Sequence, residues 1–347
     1  MKHFYVFILL ISWQFLNAQA TDVVLGLNTP VGLVLNGNEL YISEFDGLKI
    51  SKIDITVNSP TVTEVVFPLT NPNGMQLHGN DLYISETNGH SISKIDISAI
   101  PPTVTEVVAG LSGPIGLEFN GDDLYISEVG GNRILKIDIT ANPSSLIEVV
   151  TGLNIPIGLE LNGNDLYIAQ VGSNKISKID ITVTTPTLID VVTGLNSPNG
   201  LLVNGNYLYI SEADGNKISK IDITAGTPTV TEVVSGLNGP AGLQLNGNDL
   251  YIAEANGNKI SKFTLPSLSS EDYQASHSVY LYPNPATSFI KVSGITKIEE
   301  YKVYNLLGVE VLKGQISNNG NINIQNLSKG LYLLKVDIGN AQKFIKK

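Results

Sequence analysis

The chain has 347 residues, no cysteine, a mean hydropathy of +0.13 and a formal charge of −11. The length allows two or more domains. The apolar content fits a globular rather than a disordered chain, and the lack of cysteine excludes disulfides, thiolate metal sites and thiol catalysis. Charge is uneven: residues 21–265 carry 11 basic and 26 acidic side chains, a balance of −15, whereas residues 278–347 carry nine lysines and four acids, a balance of +5. The acidic part repels nucleic acid and anionic lipid and attracts cations or basic partners; it also favours solubility.

In chain order, Lys2 and His3 precede an apolar run from Phe4 to Trp13, and Ala18-Gln19-Ala20 supplies small residues. This pattern predicts a secretory signal peptide over residues 1–20, cut after Ala20. The run is too short to span a bilayer permanently, and no other stretch is long enough, so no transmembrane segment is expected after signal removal.

From residue 21 to 265 the chain repeats every 42 residues. The tyrosine of an L-Y-I-S/A-E/Q motif falls at Tyr41, Tyr83, Tyr125, Tyr167, Tyr209 and Tyr251. A period of this size with several short β runs per unit predicts a β-propeller, one blade per repeat. In the third repeat Pro114-Ile115-Gly116 opens a strand that continues through Leu117-Glu118-Phe119. Asn120-Gly121 makes a tight turn, and Leu124 to Ser127 forms the second strand. Arg133–Asp138 and Leu146–Val150 form the third and fourth. The sixth repeat lacks its fourth strand, but Thr21-Asp22-Val23-Val24 lies 42 residues before Thr63-Glu64-Val65-Val66. The expected fold is therefore an all-β, six-bladed propeller of four-stranded blades, in which the N-terminal strand completes the last blade and removes an open sheet edge.

Pro156-Ile157-Gly158-Leu159, Leu166-Tyr167-Ile168-Ala169 and Asn174-Lys175-Ile176 carry a resemblance to the NHL repeat over about residues 21–265. That resemblance implies the propeller fold. The acidic end of strand two followed by N-K-I is also similar to the streptogramin lyase repeat, although those lyases have seven blades and six are counted here. Six-bladed relatives include gluconolactonase-like enzymes, whose metal is ringed by Glu, Asn and Asp at the channel mouth; no segment here reproduces their motifs.

In a propeller the start of the first strand and the end of the second share one face. Two sets of residues should converge there: the middle residues of P-x-G (Val31, Asn73, Ile115, Ile157, Asn199, Ala241) and the residues ending strand two (Glu44, Glu86, Glu128, Gln170, Glu212, Glu254). The five carboxylates Glu44, Glu86, Glu128, Glu212 and Glu254 are candidate ligands for a hard cation such as Ca²⁺, with amide oxygens from Asn73 and Asn199, three blades apart. The competing structural reading pairs these positions with the base five residues on (Lys49, Arg133, Lys175, Lys217 or Lys259). In the second repeat Ser91 replaces that base and His90 precedes it, so Glu86 and His90 form a candidate binding or metal pair with Asn73 and Asn199. His78 belongs to the opposite face. No nucleophile elbow, phosphate loop or zinc-type spacing is present, and no catalytic residue is assigned.

Residues 266–278 read as a linker. Short β runs joined by Gly and Asn turns follow and predict a small β-sandwich over 279–347. Tyr282-Pro283-Asn284-Pro285-Ala286, Tyr304-Asn305-Leu306-Leu307-Gly308, Ser328-Lys329-Gly330-Leu331-Tyr332 and the basic tail resemble the type A C-terminal sorting domain of the type IX (Por) secretion system. The resemblance places Pro283, Asn284, Pro285 and Gly330 in the sorting motif. It implies a Bacteroidota-like source, export across both membranes, partnership with the secretion machinery and a sortase-like protease, and surface attachment or release.

Two function classes remain open. One is a secreted or cell-surface, non-enzymatic binding or adhesion protein, monomeric, that takes a protein or carbohydrate ligand. The other is a metal-dependent lactonase or streptogramin-lyase-like enzyme at the channel mouth.

Overall fold

The computed structural model describes residues 19–141, 145–266, 280–293, 299–305, 309–318, 320–336 and 342–347. Most of the expected signal peptide, and the expected linker apart from Pro266, lie outside the described residues. The chain divides into two compact units, Met1–Leu265 and Pro266–Lys347.

The first unit is a six-bladed propeller of four-stranded antiparallel sheets. Blade 1 comprises Pro30–Asn36, Glu39–Glu44, Lys49–Asp54 and Thr63–Val66, and blades 2 to 5 repeat this order. The second strand of each blade is buried almost end to end, as in Leu40, Tyr41, Ile42 and Ser43. Both faces of a blade pack on neighbours, so strict in–out alternation is lost. The cores lie between blades: Val34, Tyr41, Ile50 and Val66 of blade 1 pack on Met75, Leu82, Ile84 and Ile95 of blade 2.

Blade 6 has the strand order Thr21–Leu25, Lys259–Thr264, Asp249–Glu254, Pro240–Asn246. The N-terminal strand thus supplies its outer edge, with Thr21 opposite Lys262 and Leu25 opposite Lys259. Lys259 Nζ reaches Asp22 at 2.6 Å. Val23 and Val24 pack on a core that joins Leu33, Leu40 and Ile42 of blade 1 to Tyr251, Ala253 and Ile260 of blade 6.

The second unit holds a three-stranded sheet (Tyr280–Tyr282, Phe289–Ser293, Gly320–Asn323) and a four-stranded sheet in the order Glu310–Ile316, Glu299–Tyr304, Gly330–Val336, Gln342–Lys346. Alternate residues face a common core of Ile290, Val292, Val303, Ile322, Tyr332, Leu334, Val336 and Phe344. Tyr332 stacks on Phe344 with centroids 5.6 Å apart.

Removing residues 21–25 exposes the edge of Lys259–Thr264 and strips two valines from the core that closes the ring. The loss should be about 2–4 kcal/mol, lowering the propeller's Tm by about 5–10 °C in calorimetry. An unchanged Tm would show that the ring does not depend on this strand.

Candidate functional site

Each innermost strand carries a β-bulge at its P-x-G segment: Pro30 pairs with Glu44, but the next pair is Leu33 with Ile42. The bulge turns the middle residue toward the channel mouth and brings adjacent inner strands very close. A Cβ on Gly32 would overlap the carbonyl oxygen of Asn73 in the next blade. The same holds for Gly74 against Ile115, Gly116 against Ile157, Gly158 against Asn199, Gly200 against Ala241 and Gly242 against Val31. The glycine therefore answers a close backbone approach. Serines on strand two tie the same carbonyls: Ser43 Oγ donates to Asn73 O at 2.6 Å, Ser85 to Ile115 O at 2.7 Å, Ser127 to Ile157 O at 2.7 Å and Ser211 to Ala241 O at 2.6 Å.

The residues that end strand two lie beside these prolines but do not form a shared carboxylate rim. Glu44, Glu128, Glu212 and Glu254 are at most 2% exposed and Glu86 is 8% exposed. Each accepts a backbone N–H from 16 residues earlier, for example Asn28 N to Glu44 at 2.8 Å and Thr70 N to Glu86 at 2.7 Å. The second oxygen takes the hydroxyl of Ser51, Ser93, Ser219 or Ser261. In blade 3 Leu135 replaces that serine, and Arg133 Nε binds Glu128 at 2.6 Å instead. Lys49, Lys217 and Lys259 add longer ion pairs at 3.6, 3.5 and 3.4 Å. Every carboxylate is committed inside its own blade, and among the described residues no three His, Asp or Glu side chains gather as a metal site. Blade 4 shows how the position tolerates an amide. Gln170 accepts from Asn154 N and donates to Ser177, whose hydroxyl turns to Asp190 at 2.8 Å, and Lys175 moves to that same acid.

His90 also joins blades together. Asn132, Asn174, Asn216 and Asn258 occupy the equivalent left-handed turn position. Their Oδ1 atoms accept a backbone N–H of the following blade at 2.9 Å, from Ile155, Ser197, Gly239 and Thr29. His90 copies this with Nδ1 accepting from Gly113 N at 3.4 Å. Glu86 and His90 thus hold different partners rather than one ligand. His78, at the end of its strand, stacks on Phe119 at 4.8 Å with Nε2 3.4 Å from Asp122, an interblade contact.

The channel itself encloses about 580 Å³, and Asn73 and Asn199 line it. Its chemistry varies most at the second residue after P-x-G, which is Val34, Gln76, Glu118, Glu160, Leu202 and Gln244 around the ring. Gln76, Glu160 and Gln244 line the channel together with Val34 and Leu202. Gln76 Nε2 donates to Glu118 at 2.7 Å, and Val203 N donates to Glu160 at 2.7 Å. Burial, joined by the neighbouring charge of Glu160, pushes the Glu118 carboxyl up to about 8, against the lowering effect of bonds from Leu161 N and Gln76. Burial pushes Glu160 up to about 7, opposed by the bond from Val203 N. Blades 2 to 4 therefore carry a polar arc of Gln76, Glu118 and Glu160, of which Gln76 and Glu160 line the channel, and across from it Gln244 stands between the apolar Leu202 and Val34. Sequence reasoning missed this polar arc because it followed the constant columns. The available signal was a variable column inside an otherwise uniform inner strand.

In the second unit Asn284 closes over the last strand. Its Nδ2 donates to Lys343 O and its Oδ1 accepts from Ile345 N, both at 2.9 Å. Ala286 N donates to Ile345 O, and Lys347 N donates to Ala286 O. Pro283 and Pro285 flank Asn284, and Gly330 opens the strand that pairs with Lys346. Tyr332 donates its hydroxyl to Ser328 O at 2.9 Å.

Residues 280–347 match the secretion system C-terminal sorting domain. This tail marks the chain for the cell surface or the medium through the type IX machinery. No curated protein matches the chain. Among solved structures, virginiamycin B lyase from Staphylococcus aureus is 18% identical with a TM-score of 0.53, covering 71% of this chain and 98% of that one. A luciferin-regenerating enzyme is 12% identical with a TM-score of 0.60, covering 72% and 96%. An auxiliary nutrient binding protein from Bacteroides ovatus is 13% identical with a TM-score of 0.57, covering 70% and 72%. At these identities the likeness shows the propeller fold alone. Among the described residues no helix is long and apolar enough to cross a membrane.

Two predictions follow from the ring's chemistry. Glu118 and Glu160 are raised in the folded state, so their contribution to stability is full below about pH 4.5 and is lost as pH rises through 7 to 8. The Tm should fall between pH 5 and 8. Glu118→Gln and Glu160→Gln should each flatten that fall and stabilise the ring by about 2 kcal/mol or more at pH 8. The second concerns Leu48, an aliphatic residue at φ +55° in the turn position that asparagine fills elsewhere. Leu48→Asn should relieve the backbone and bind Asn71 N, raising stability by about 1–2 kcal/mol in chemical denaturation.

Proposed function

We propose that the protein is an exported, non-enzymatic binding module that takes a small, hydroxyl-rich ligand of carbohydrate type in the propeller channel. The observation that carries this reading is the chemical asymmetry of the inner wall. Gln76 and Glu160, with Asn73, supply donors and acceptors on one side, while on the other Val34 and Leu202 supply apolar contact on either side of Gln244. Sugars present the same mixture of hydroxyl edges and C–H faces. Carboxyls raised toward neutrality also suit a neutral ligand, because they donate as well as accept and carry less charge to desolvate. The sorting domain serves delivery, with the secretion machinery and a sortase-like protease as its partners and the 266–278 segment as the place of cleavage.

A second reading has one specific observation in its favour. Glu118 and Glu160 are neighbouring carboxyls with raised proton affinity, an arrangement suited to general acid–base work on a bound lactone or ester.

Titration calorimetry against a panel of soluble oligosaccharides tests the first reading. Binding should weaken about tenfold or more in Glu160→Ala and in Gln244→Ala, since each loses one to two hydrogen bonds to the ligand. Glu44→Gln should leave affinity unchanged, since that position lies within a blade. Affinity insensitive to the channel variants would overturn the assignment, and lactone turnover abolished by Glu160→Gln would favour the second reading.

A further inference from the structure

The outer face of the four-stranded sheet in the sorting domain is built unlike a solvated face. Its inward residues are Leu312, Val303, Leu334 and Phe344, so Lys313, Lys302, Lys335 and Lys343 point the other way. The register sets Lys302 directly opposite Lys313 on one side and directly opposite Lys335 on the other. Three lysines thus stand in one row across three strands. Like charges directly opposite each other work against the sheet. Glu310 lies 3.6 Å from Lys313 and 4.0 Å from Lys302 and so offsets the end and the middle of the row, and Glu300 shares the face one pair further along, leaving Lys335 at the other end.

The row borders an exposed apolar strip. Tyr304 lies opposite Leu333, Leu333 opposite Lys343, and Leu331 opposite Ile345. Leu333 is 38% exposed, Ile345 44% and Val311 37%. A sheet face with an apolar strip edged by a lysine-rich row has the composition of a protein docking surface: a centre that can be desolvated beside charges that set partner and register. Asn284 and Ala286 hold the last strand from its free side, so Lys343 and Ile345 are presented in fixed positions.

We propose that this face docks an acidic protein surface of the export machinery, with the Lys313–Lys302–Lys335 row contacting carboxylates and the Leu333–Ile345 strip buried beside them. The proposal rests on the assignment of residues 280–347 as a sorting domain. Charge complementarity selects the occupant, and the apolar strip favours a folded protein over a lipid headgroup layer.

The test uses the full chain expressed in a bacterium that carries a type IX secretion system. Lys302→Glu/Lys335→Glu keeps like charges opposed at 302/335 and turns 302/313 into an attractive pair that offsets the new repulsion from Glu310, so folding should be little changed, as the Tm of the purified variant will show. Lys291→Glu/Asn321→Asp/Asn323→Asp makes the same net charge change elsewhere on the domain. A third chain lacks residues 280–347. The expected result is that the first variant accumulates in the periplasm with at least a tenfold loss of surface and released protein, while the second is exported normally. Purified wild type should bind poly-L-glutamate in a salt-sensitive way, and the Lys302→Glu/Lys335→Glu variant should not. Normal export of that variant, with the truncated chain still trapped, overturns the docking face but leaves the sorting role standing. Normal export of the truncated chain overturns both. Equal lysine-dependent binding to vesicles containing 30% phosphatidylglycerol overturns the acidic-protein occupant.

Discussion

The propeller depends on the close approach of six inner strands around one axis. At every interface a glycine lies where any side chain would collide with the next blade's carbonyl oxygen, and the sixth contact, Gly242 against Val31, returns to the first blade. Close packing of this kind is unforgiving, since an added Cβ would displace backbone rather than a movable side chain. The serine hydroxyls of strand two then tie four of the six carbonyls, while Ala169 and Ala253 leave the other two to packing.

A second layer of constraint works within each blade. In five blades a buried carboxylate gathers the N–H of the incoming loop together with a strand-three hydroxyl or, in blade 3, the Arg133 guanidinium, so that the turn next to the channel mouth is anchored from the inside. Burying a charge is costly unless its hydrogen bonds are supplied, and here they are supplied several times over. Blade 4 replaces the charge with Gln170 and re-routes Ser177 and Lys175 to Asp190, so the anchoring role survives the loss of charge. These repeated acids belong to architecture. The groups free to act on a ligand lie one layer inward, where the repeats differ.

Much of the fold was legible in the chain. The 42-residue register gave the blade count, the turn dipeptides gave the strand ends, and Thr21 to Val24 announced the closing strand by sequence likeness to Thr63 to Val66. The cross-strand pairing of Glu44 with Lys49 and Glu254 with Lys259 was also readable. The site was less so. Glu86 and His90 stood out as departures from a pattern, yet His90 repeats the job of Asn174 with a different acceptor atom. Glu118 and Glu160 drew no notice, because in one strand each is simply a polar residue between two apolar ones. Their burial, which raises the proton affinity of both, exists only when the blades close around the axis, and the added effect of Glu160 on Glu118 exists only when blades 3 and 4 stand side by side.

The repeat, the strand boundaries, the lack of thiol chemistry and the export tail are all written along the chain. These follow from local periodicity and from motifs that act over a few residues. The tertiary structure decided which acids are buried supports and which groups face the channel. It also set three lysines of the sorting domain in a single row, since Lys302, Lys313 and Lys335 are far apart along the chain and become neighbours only through strand register. The physical reason is the same throughout. Backbone preference is local, but desolvation and charge interaction depend on what a fold brings within a few ångströms.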